Sequence, residues 1–322
     1  MTASEPSLHD RAVGAVVGSA AADALGAPYE FGLPGQYSAR FPEPALDGPG
    51  EQVGGGGFGW APGEFTDDTQ MAIVQGESVL VCDGVDPRDL FERFRIWSLD
   101  ATDVGVQTNA VLSSPLGWRR AALDHYSRHP DRSAGNGALM RSTPTAVRFA
   151  SSTAQATVDA ARSASAVTHA DPAAGWGTAL YHLMIRAALH GRSPFDTLAA
   201  ALEHLPADQQ RFHEVLHPGW EPSHSRLSNS TVWSCLAQAV WAVRTTTTYS
   251  EAVVAAIDLG GDTDTVAAVT GGLAGALYGI ASVPERWTMP LHGHITTAAG
   301  RRTYRLVDLQ GLTYRLLDTA SS

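Results

Sequence analysis

Asp258-Leu259-Gly260-Gly261-Asp262-Thr263-Asp264-Thr265 runs straight into Val266-Ala267-Ala268-Val269-Thr270-Gly271-Gly272-Leu273-Ala274-Gly275-Ala276. The second half of this stretch has no polar face, so it reads as a helix buried on all sides. The spacings Gly271…Gly275 and Gly275…Gly279 would let a neighbouring helix come close. Residues 266–283 carry no charge, but they are mostly Ala and Gly and follow directly on four polar residues. A central helix of a globular protein therefore fits better than a membrane span. The first half packs two carboxylates and flanking hydroxyls into the helix start, with no Lys or Arg beside them.

The rest of the chain has the same helical period. Val13, Val17, Ala20 and Ala24 share one face, as do Trp176, Leu180, Leu183 and Ala187, and again Val232, Leu236, Ala239 and Val243. Further helices are expected over 69–82, 88–98, 138–149, 153–166, 194–203 and 249–258, entered through Ser, Thr or Asp. Alternating strand patterns are hard to find, so the expected fold is all-α with a single core and one domain over 1–322. Residues 32–65 hold Gly54-Gly55-Gly56-Gly57 and several prolines, and end on Thr66. So long a loop reads as a mobile flap over a site. Residues 216–229, with Pro218, Trp220 and Pro222, read as a link between two helices.

Hydrophobic content of 44% and charged content of 17% belong to an ordinary globular protein, and a net charge of -11 speaks against a nucleic-acid groove. All 22 basic residues are Arg. That excludes Schiff-base lysines and the phosphate lysine of Walker-type loops. Cys82 and Cys235 lie in apolar helical contexts and read as buried free thiols, which suits a reducing cytoplasm. The N-terminal residues show no secretory leader.

About 195 positions before Asp262 stands a second acidic cluster, Phe65-Thr66-Asp67-Asp68-Thr69, again just ahead of an apolar helix. Capping alone needs one acceptor per helix, and each start carries two carboxylates and two threonines. Crowded carboxylates raise one another's pKa unless a cation compensates. Thr66, Asp67, Asp68, Asp262, Asp264 and Thr265 together offer an oxygen-only set, suited to two hard divalent ions such as Mg²⁺, Mn²⁺ or Ca²⁺. Zinc does not fit, because no Cys takes part and the histidines lack paired ligand spacing.

Five blocks carry a resemblance. They are Gly18-Ser19-Ala20-Ala21-Ala22-Asp23-Ala24-Leu25-Gly26-Ala27-Pro28-Tyr29-Glu30, Phe65-Thr66-Asp67-Asp68-Thr69-Gln70-Met71, Gly135-Asn136-Gly137-Ala138-Leu139-Met140-Arg141, Thr168-His169-Ala170-Asp171-Pro172 and Gly260-Gly261-Asp262-Thr263-Asp264-Thr265. In order and spacing the chain resembles the ADP-ribosylglycohydrolase family, which includes the dinitrogenase reductase-activating glycohydrolases. The match covers roughly residues 10–285.

The resemblance implies a compact, single-domain orthogonal helix bundle with a binuclear Mg²⁺ or Mn²⁺ centre that releases ADP-ribose from a modified side chain or related conjugate. It implies Thr66, Asp67, Asp68, Asp262, Asp264 and Thr265 as metal ligands. Glu30 matches a family glutamate that in some members contacts metal or substrate, and Asp103, in a loosely matching segment, resembles an active-site aspartate; Glu30, Asp67 or Asp103 is expected to transfer protons, the choice among them staying open. Gly135, Asn136, Gly137 and His169 would bind substrate, the Gly-Asn-Gly turn through backbone N–H groups at a helix N-terminus. Asp23 matches a family motif that has glycine where Ala22 stands, and is not expected to be a ligand.

The implied partner is an ADP-ribosylated protein or another ADP-ribose conjugate, with no membrane and no strong nucleic-acid groove, and the chain is expected to be a monomer. The leaving group stays open among arginine, serine, a nucleobase, a metabolite and ADP-ribose polymer. An inactive ADP-ribose binder and a divalent-metal nucleotide phosphohydrolase are the alternatives.

Overall fold

The computed structural model describes residues 5–46 and 50–318. Its helices are α1 (Leu8–Gly26), α2 (Gln36–Arg40), α3 (Asp67–Val81), α4 (Pro87–Ser98), α5 (Val106–Leu112), α6 (Ala121–Arg128), α7 (Thr143–Arg148) and α8 (Ala154–Ala166). They continue with α9 (Pro172–Leu189), α10 (Pro194–Leu202), α11 (Arg211–Val215), α12 (Val232–Thr245), α13 (Tyr249–Ile257), α14 (Thr263–Tyr278), α15 (Glu285–Thr288) and α16 (Leu306–Asp318). Strands β1 (His292–Thr297) and β2 (Gly300–Arg305) form an antiparallel hairpin.

The helix starts follow the capping chemistry of the sequence. Ser7 and Asp10 close a capping box on α1, Thr248 and Glu251 another on α13. Asp86, Asp171 and Ser193 each cap a helix whose first residue is proline.

Two antiparallel helices make the centre. Arg11–Gly26 of α1 and Thr263–Ala276 of α14 are buried on every side. Their axes close up because glycine faces glycine. A Cβ on Gly275 would stand 2.0 Å from the Gly14 carbonyl oxygen, one on Gly271 2.4 Å from that of Gly18, and one on Gly26 2.6 Å from that of Thr263. The glycine spacings thus serve the packing of α1 against α14, and no described helix is long and apolar enough to cross a membrane. Helices α12 and α13 cover α14, α16 covers α1, and α9 touches both. Because the pair is antiparallel, the C-terminal end of α1 lies beside the N-terminal end of α14, where Asp262 and Asp264 sit.

The all-α expectation is met, with four corrections. The β-hairpin went unread: His292-Gly293-His294-Ile295 buries only Gly293 and Ile295, too short a signal for a strand. It nonetheless holds the site, since Phe65 N donates to His292 O at 3.0 Å and the Phe65 ring fills the space a Gly293 side chain would take. The helix expected over 138–149 forms only from Thr143, after a run of turns. On α9, Leu180 and Ala187 are buried but Trp176 and Leu183 are only half-buried. Inside the expected loop 32–65 a short helix, α2, forms, and two side chains are tied to the rest of the fold: Gln52 Nε2 donates to Ala21 O at 2.9 Å and Trp287 O at 3.1 Å, and Glu51 accepts from Arg286 and Trp287.

Candidate active site

The first acidic cluster is set by α1. Asp23 is fully buried and its carboxylate accepts from four donors: Thr66 N at 3.1 and 3.2 Å to its two oxygens, Thr66 Oγ1 at 2.8 Å, Thr69 N at 3.1 Å and Thr69 Oγ1 at 2.5 Å. Thr66 Oγ1 in turn accepts from Asp68 N at 3.3 Å, which caps α3. With the cap supplied by threonine, Asp67 and Asp68 at the first two helical positions are free of that duty. Both are buried.

The second cluster is set by Asn229. Its Oδ1 accepts from Asp262 N at 3.0 Å, while its Nδ2 donates to Gly260 O at 2.8 Å and Gln238 Oε1 at 3.1 Å. Gly260 and Gly261 take left-handed φ values of 72° and 74°, and a Cβ on Gly261 would lie 2.5 Å from Asn229 Oδ1. Only glycine fits there. Asp262 occupies the N-cap position of α14 but makes no capping bond, and its Oδ2 accepts from Asn136 Nδ2 at 2.9 Å.

The two clusters meet. Thr265 Oγ1 donates to Asp68 Oδ2 at 3.4 Å, and Thr66 Oγ1 lies 3.5 Å from the same oxygen. Glu30, Asp262 and Asp264 each place a carboxylate oxygen within 4.8 Å of the others, a grouping that could hold a metal ion. Glu30 is brought in by a two-residue bridge, Phe31 N to Gly261 O at 2.6 Å and Gly261 N to Gly32 O at 3.1 Å.

Glu30 Oε2, Asp68 Oδ1 and Asp264 Oδ1 are buried with no hydrogen-bond partner among the described residues. Unpaired buried carboxylate oxygens are costly, and the usual remedies are a proton or a cation. Burial, then neighbouring carboxylates, raises every member: Glu30 is pushed up to about 8, and Asp67, Asp68 and Asp264 go well above the usual range. Asp262 rises less, because burial is opposed by the Asn136 hydrogen bond.

Asp103 is half-buried in the segment before α5, and burial with the nearby Asp262 charge pushes it up to about 6. After burial, its charge is the foremost influence on both Glu30 and Asp67, so this aspartate lies near enough to act on their charge. His169 is buried under the Gly135-Asn136-Gly137 turn: a Cβ on Gly135 would lie 3.2 Å from its Nε2, and one on Gly137 3.0 Å from its Cε1.

The expected cradle at a helix N-terminus is not present, because the residues after Gly137 form turns and α7 starts at Thr143. What this turn contributes instead is the Asn136 side chain. Burial holds for Cys235, behind Asp262 and Asp68, whereas Cys82 is half-buried. Asn229 and Gln238 were missed. The only trace in the sequence is an asparagine two residues before the Thr231 cap, which is common in ordinary turns.

A model of the ADP-ribosylglycohydrolase family matches residues 4–317. An ADP-ribosylarginine hydrolase of Pseudomonas putida is 32% identical over 289 residues, covering 86% of this chain and 73% of that one. The ADP-ribosyl-dinitrogen reductase glycohydrolase of Rhodospirillum rubrum is 28% identical over 309 residues, 95% of this chain and 99% of its own length. A solved structure described as an ADP-ribosylglycohydrolase-related protein complex superimposes with a TM-score of 0.74 at 29% identity, covering 97% of this chain and 99% of that one.

Proposed function

The chain belongs to the ADP-ribosylglycohydrolase family and is a glycohydrolase, and from that premise we propose that it is a metal-dependent ADP-ribosyl hydrolase. Its reaction cleaves the C1″ glycosidic bond of an ADP-ribosylated side chain or related conjugate and releases ADP-ribose. The relatives named for ADP-ribosylarginine and ADP-ribosyl-dinitrogen reductase make a modified arginine side chain the first substrate to try.

One observation carries the metal assignment: among the described residues, buried oxygens of Glu30, Asp68 and Asp264 have no hydrogen-bond partner, in a cluster whose carboxylates raise one another's pKa. Carboxylates and hydroxyls are hard donors, so the set fits Mg²⁺ or Mn²⁺. Thr66, Asp67, Asp68, Asp262, Asp264 and Thr265 would hold two such ions, with Glu30 beside Asp262 and Asp264. Such ions supply charge to offset the carboxylates and lower the pKa of water.

The remaining work falls to this chain's side chains. Cleavage joins a water oxygen to C1″ as the bond to the leaving atom breaks, so one carboxylate must accept the water proton while another proton reaches the leaving group. Glu30, Asp67 and Asp103 lie together and have raised pKa values, which suits them to that exchange. Asn136 and Asn229 hold Asp262 in place.

The proposal takes the whole chain as one domain, supported by a contiguous core from Ala12 to Leu317, acting as a monomer. The two unpaired cysteines suit a reducing cytoplasm. Mass spectrometry of products from arginine-, serine- and nucleic-acid-linked ADP-ribose, with Mg²⁺, Mn²⁺ or chelator, tests the reading. Metal-dependent release of free ADP-ribose is the expected result. Products limited to AMP or phosphate would point to a phosphohydrolase, and no product at all to an inactive binder.

A further inference from the structure

Behind the Gly-Asn-Gly turn lies a buried cation that makes no ion pair among the described residues, although the Asp67 charge acts on it. Arg141 is fully buried, its guanidinium 4.7 Å from the Phe94 ring centre. It donates through Nε to Gln75 Oε1 at 3.1 Å, through Nη1 to Gly137 O at 2.7 Å, and through Nη2 to Thr168 Oγ1 at 2.8 Å and Ala164 O at 3.4 Å. Thr168 is itself fully buried, and its hydroxyl has one other partner, His169 Nδ1 at 2.8 Å.

The donor inventory then leaves one arrangement that satisfies every group. A guanidinium can only donate, so Thr168 Oγ1 accepts from Arg141 and its own proton must go elsewhere. Among the described residues the single acceptor bonded to it is His169 Nδ1; were Nδ1 protonated, the threonine proton would be buried without a partner, at the usual cost of an unmet donor. Nδ1 is therefore bare. Burial and the Arg141 charge hold the imidazole well below its ordinary pKa, so it is neutral, and its one proton sits on Nε2. That atom has no partner among the described residues and faces Gly135 and Gly137, where a side chain at either position would crowd it at 3.2 Å.

We propose that Arg141 and Thr168 are positioning residues that lock His169 as an Nε2–H donor, aimed through the gap left by Gly135 and Gly137 at an acceptor oxygen of the bound ADP-ribose. The ligand half of this statement rests on the functional reading above. The tautomer half does not.

In full-length ¹⁵N-labelled wild-type protein, two-bond ¹H–¹⁵N spectra, with the His169 signals assigned by their loss in His169→Gln, are expected to show Nε2 protonated and Nδ1 bare near neutral pH. A protonated Nδ1 as the main form overturns the inference. Thr168→Val is expected to let the Nδ1–H form appear, while Thr168→Ser keeps the wild-type pattern; an unchanged pattern in Thr168→Val also overturns it.

Calorimetric titration with ADP-ribose is expected to give a Kd roughly tenfold weaker for Thr168→Val and unchanged for Thr168→Ser, the effect of one lost or misdirected hydrogen bond. An unchanged Kd in Thr168→Val removes the ligand-facing role. Failure of the wild type to bind or release ADP-ribose counts against the functional reading, and the tautomer result in the free protein still decides the relay.

Discussion

The starts of α3 and α14 carry nearly the same residues and are secured in opposite ways. At α3 a threonine does the capping, and a buried aspartate from another helix, Asp23, holds that threonine with all its hydrogen bonds met. At α14 the residue in the capping position, Asp262, caps nothing and is turned toward Asn136. The comparison separates two uses of one side chain. Asp23 accepts from four donors and serves the fold, whereas Asp68 and Asp264 each keep a buried oxygen without a partner among the described residues and burden it. Carboxylates that the fold does not use, gathered at two helix starts that meet, form a grouping that could hold a metal ion.

The largest expected effect comes from removing a surplus carboxylate. Asp68→Ala and Asp262→Ala should each lower hydrolysis of ADP-ribosylarginine at least ~10³-fold with the far-ultraviolet circular dichroism of the wild type. Loss of helicity alongside activity would erase the distinction drawn between the two uses.

Asp23→Asn tests the other side. An amide there keeps one acceptor and introduces donors among donors, so chemical denaturation should show a loss of roughly 2–4 kcal/mol. A stability equal to wild type would mean that Asp23 is not the pin of α3. Asn229→Ala is milder: it leaves the carboxylates in place but frees Asp262, and should weaken Mn²⁺ binding by ~10–100-fold, measured by calorimetry.

The smallest effect is in the pH dependence. Glu30 is raised from 4.5 to about 8 by burial first and by neighbouring carboxylates second. The folded state therefore binds this proton more tightly than the unfolded chain, and without metal the contribution of Glu30 to stability is fully present below about pH 4.5 and is lost as pH rises through about 8. Divalent ions compete with that proton. The rise in Tm on adding Mg²⁺ should grow steadily from acid to pH 8, and a rise that is flat or shrinks with pH would contradict the shared site.

Both acidic clusters and the all-buried α14 were legible because local composition expresses them directly: surplus carboxylates at a helix start, and an apolar run without a polar face. Other features depend on partners far along the chain. Asn229 matters only because the fold brings it against Gly260 and Asp262, and nothing in Ser228-Asn229-Ser230-Thr231 distinguishes it from a turn. The helix expected over 138–149 carries apolar residues at helical spacing, yet Arg141 takes the Gly137 carbonyl and the Asn136 side chain is drawn to Asp262, so the turns persist to Thr143. The hairpin over 292–305 escaped notice because its buried positions are a glycine, an isoleucine and a tyrosine among polar residues. The flap expected over 32–65 was read from glycine and proline content, which cannot show that Glu51 and Gln52 are tied to Arg286 and Trp287.

The central claim, that the two clusters form one divalent-ion centre, is tested most directly by titrating the metal-free full-length chain with Mn²⁺ in a calorimeter. Uptake of two ions per chain, abolished in both Asp68→Ala and Asp262→Ala, is the predicted result. No uptake by the wild type, or uptake that survives either substitution unchanged, would contradict it.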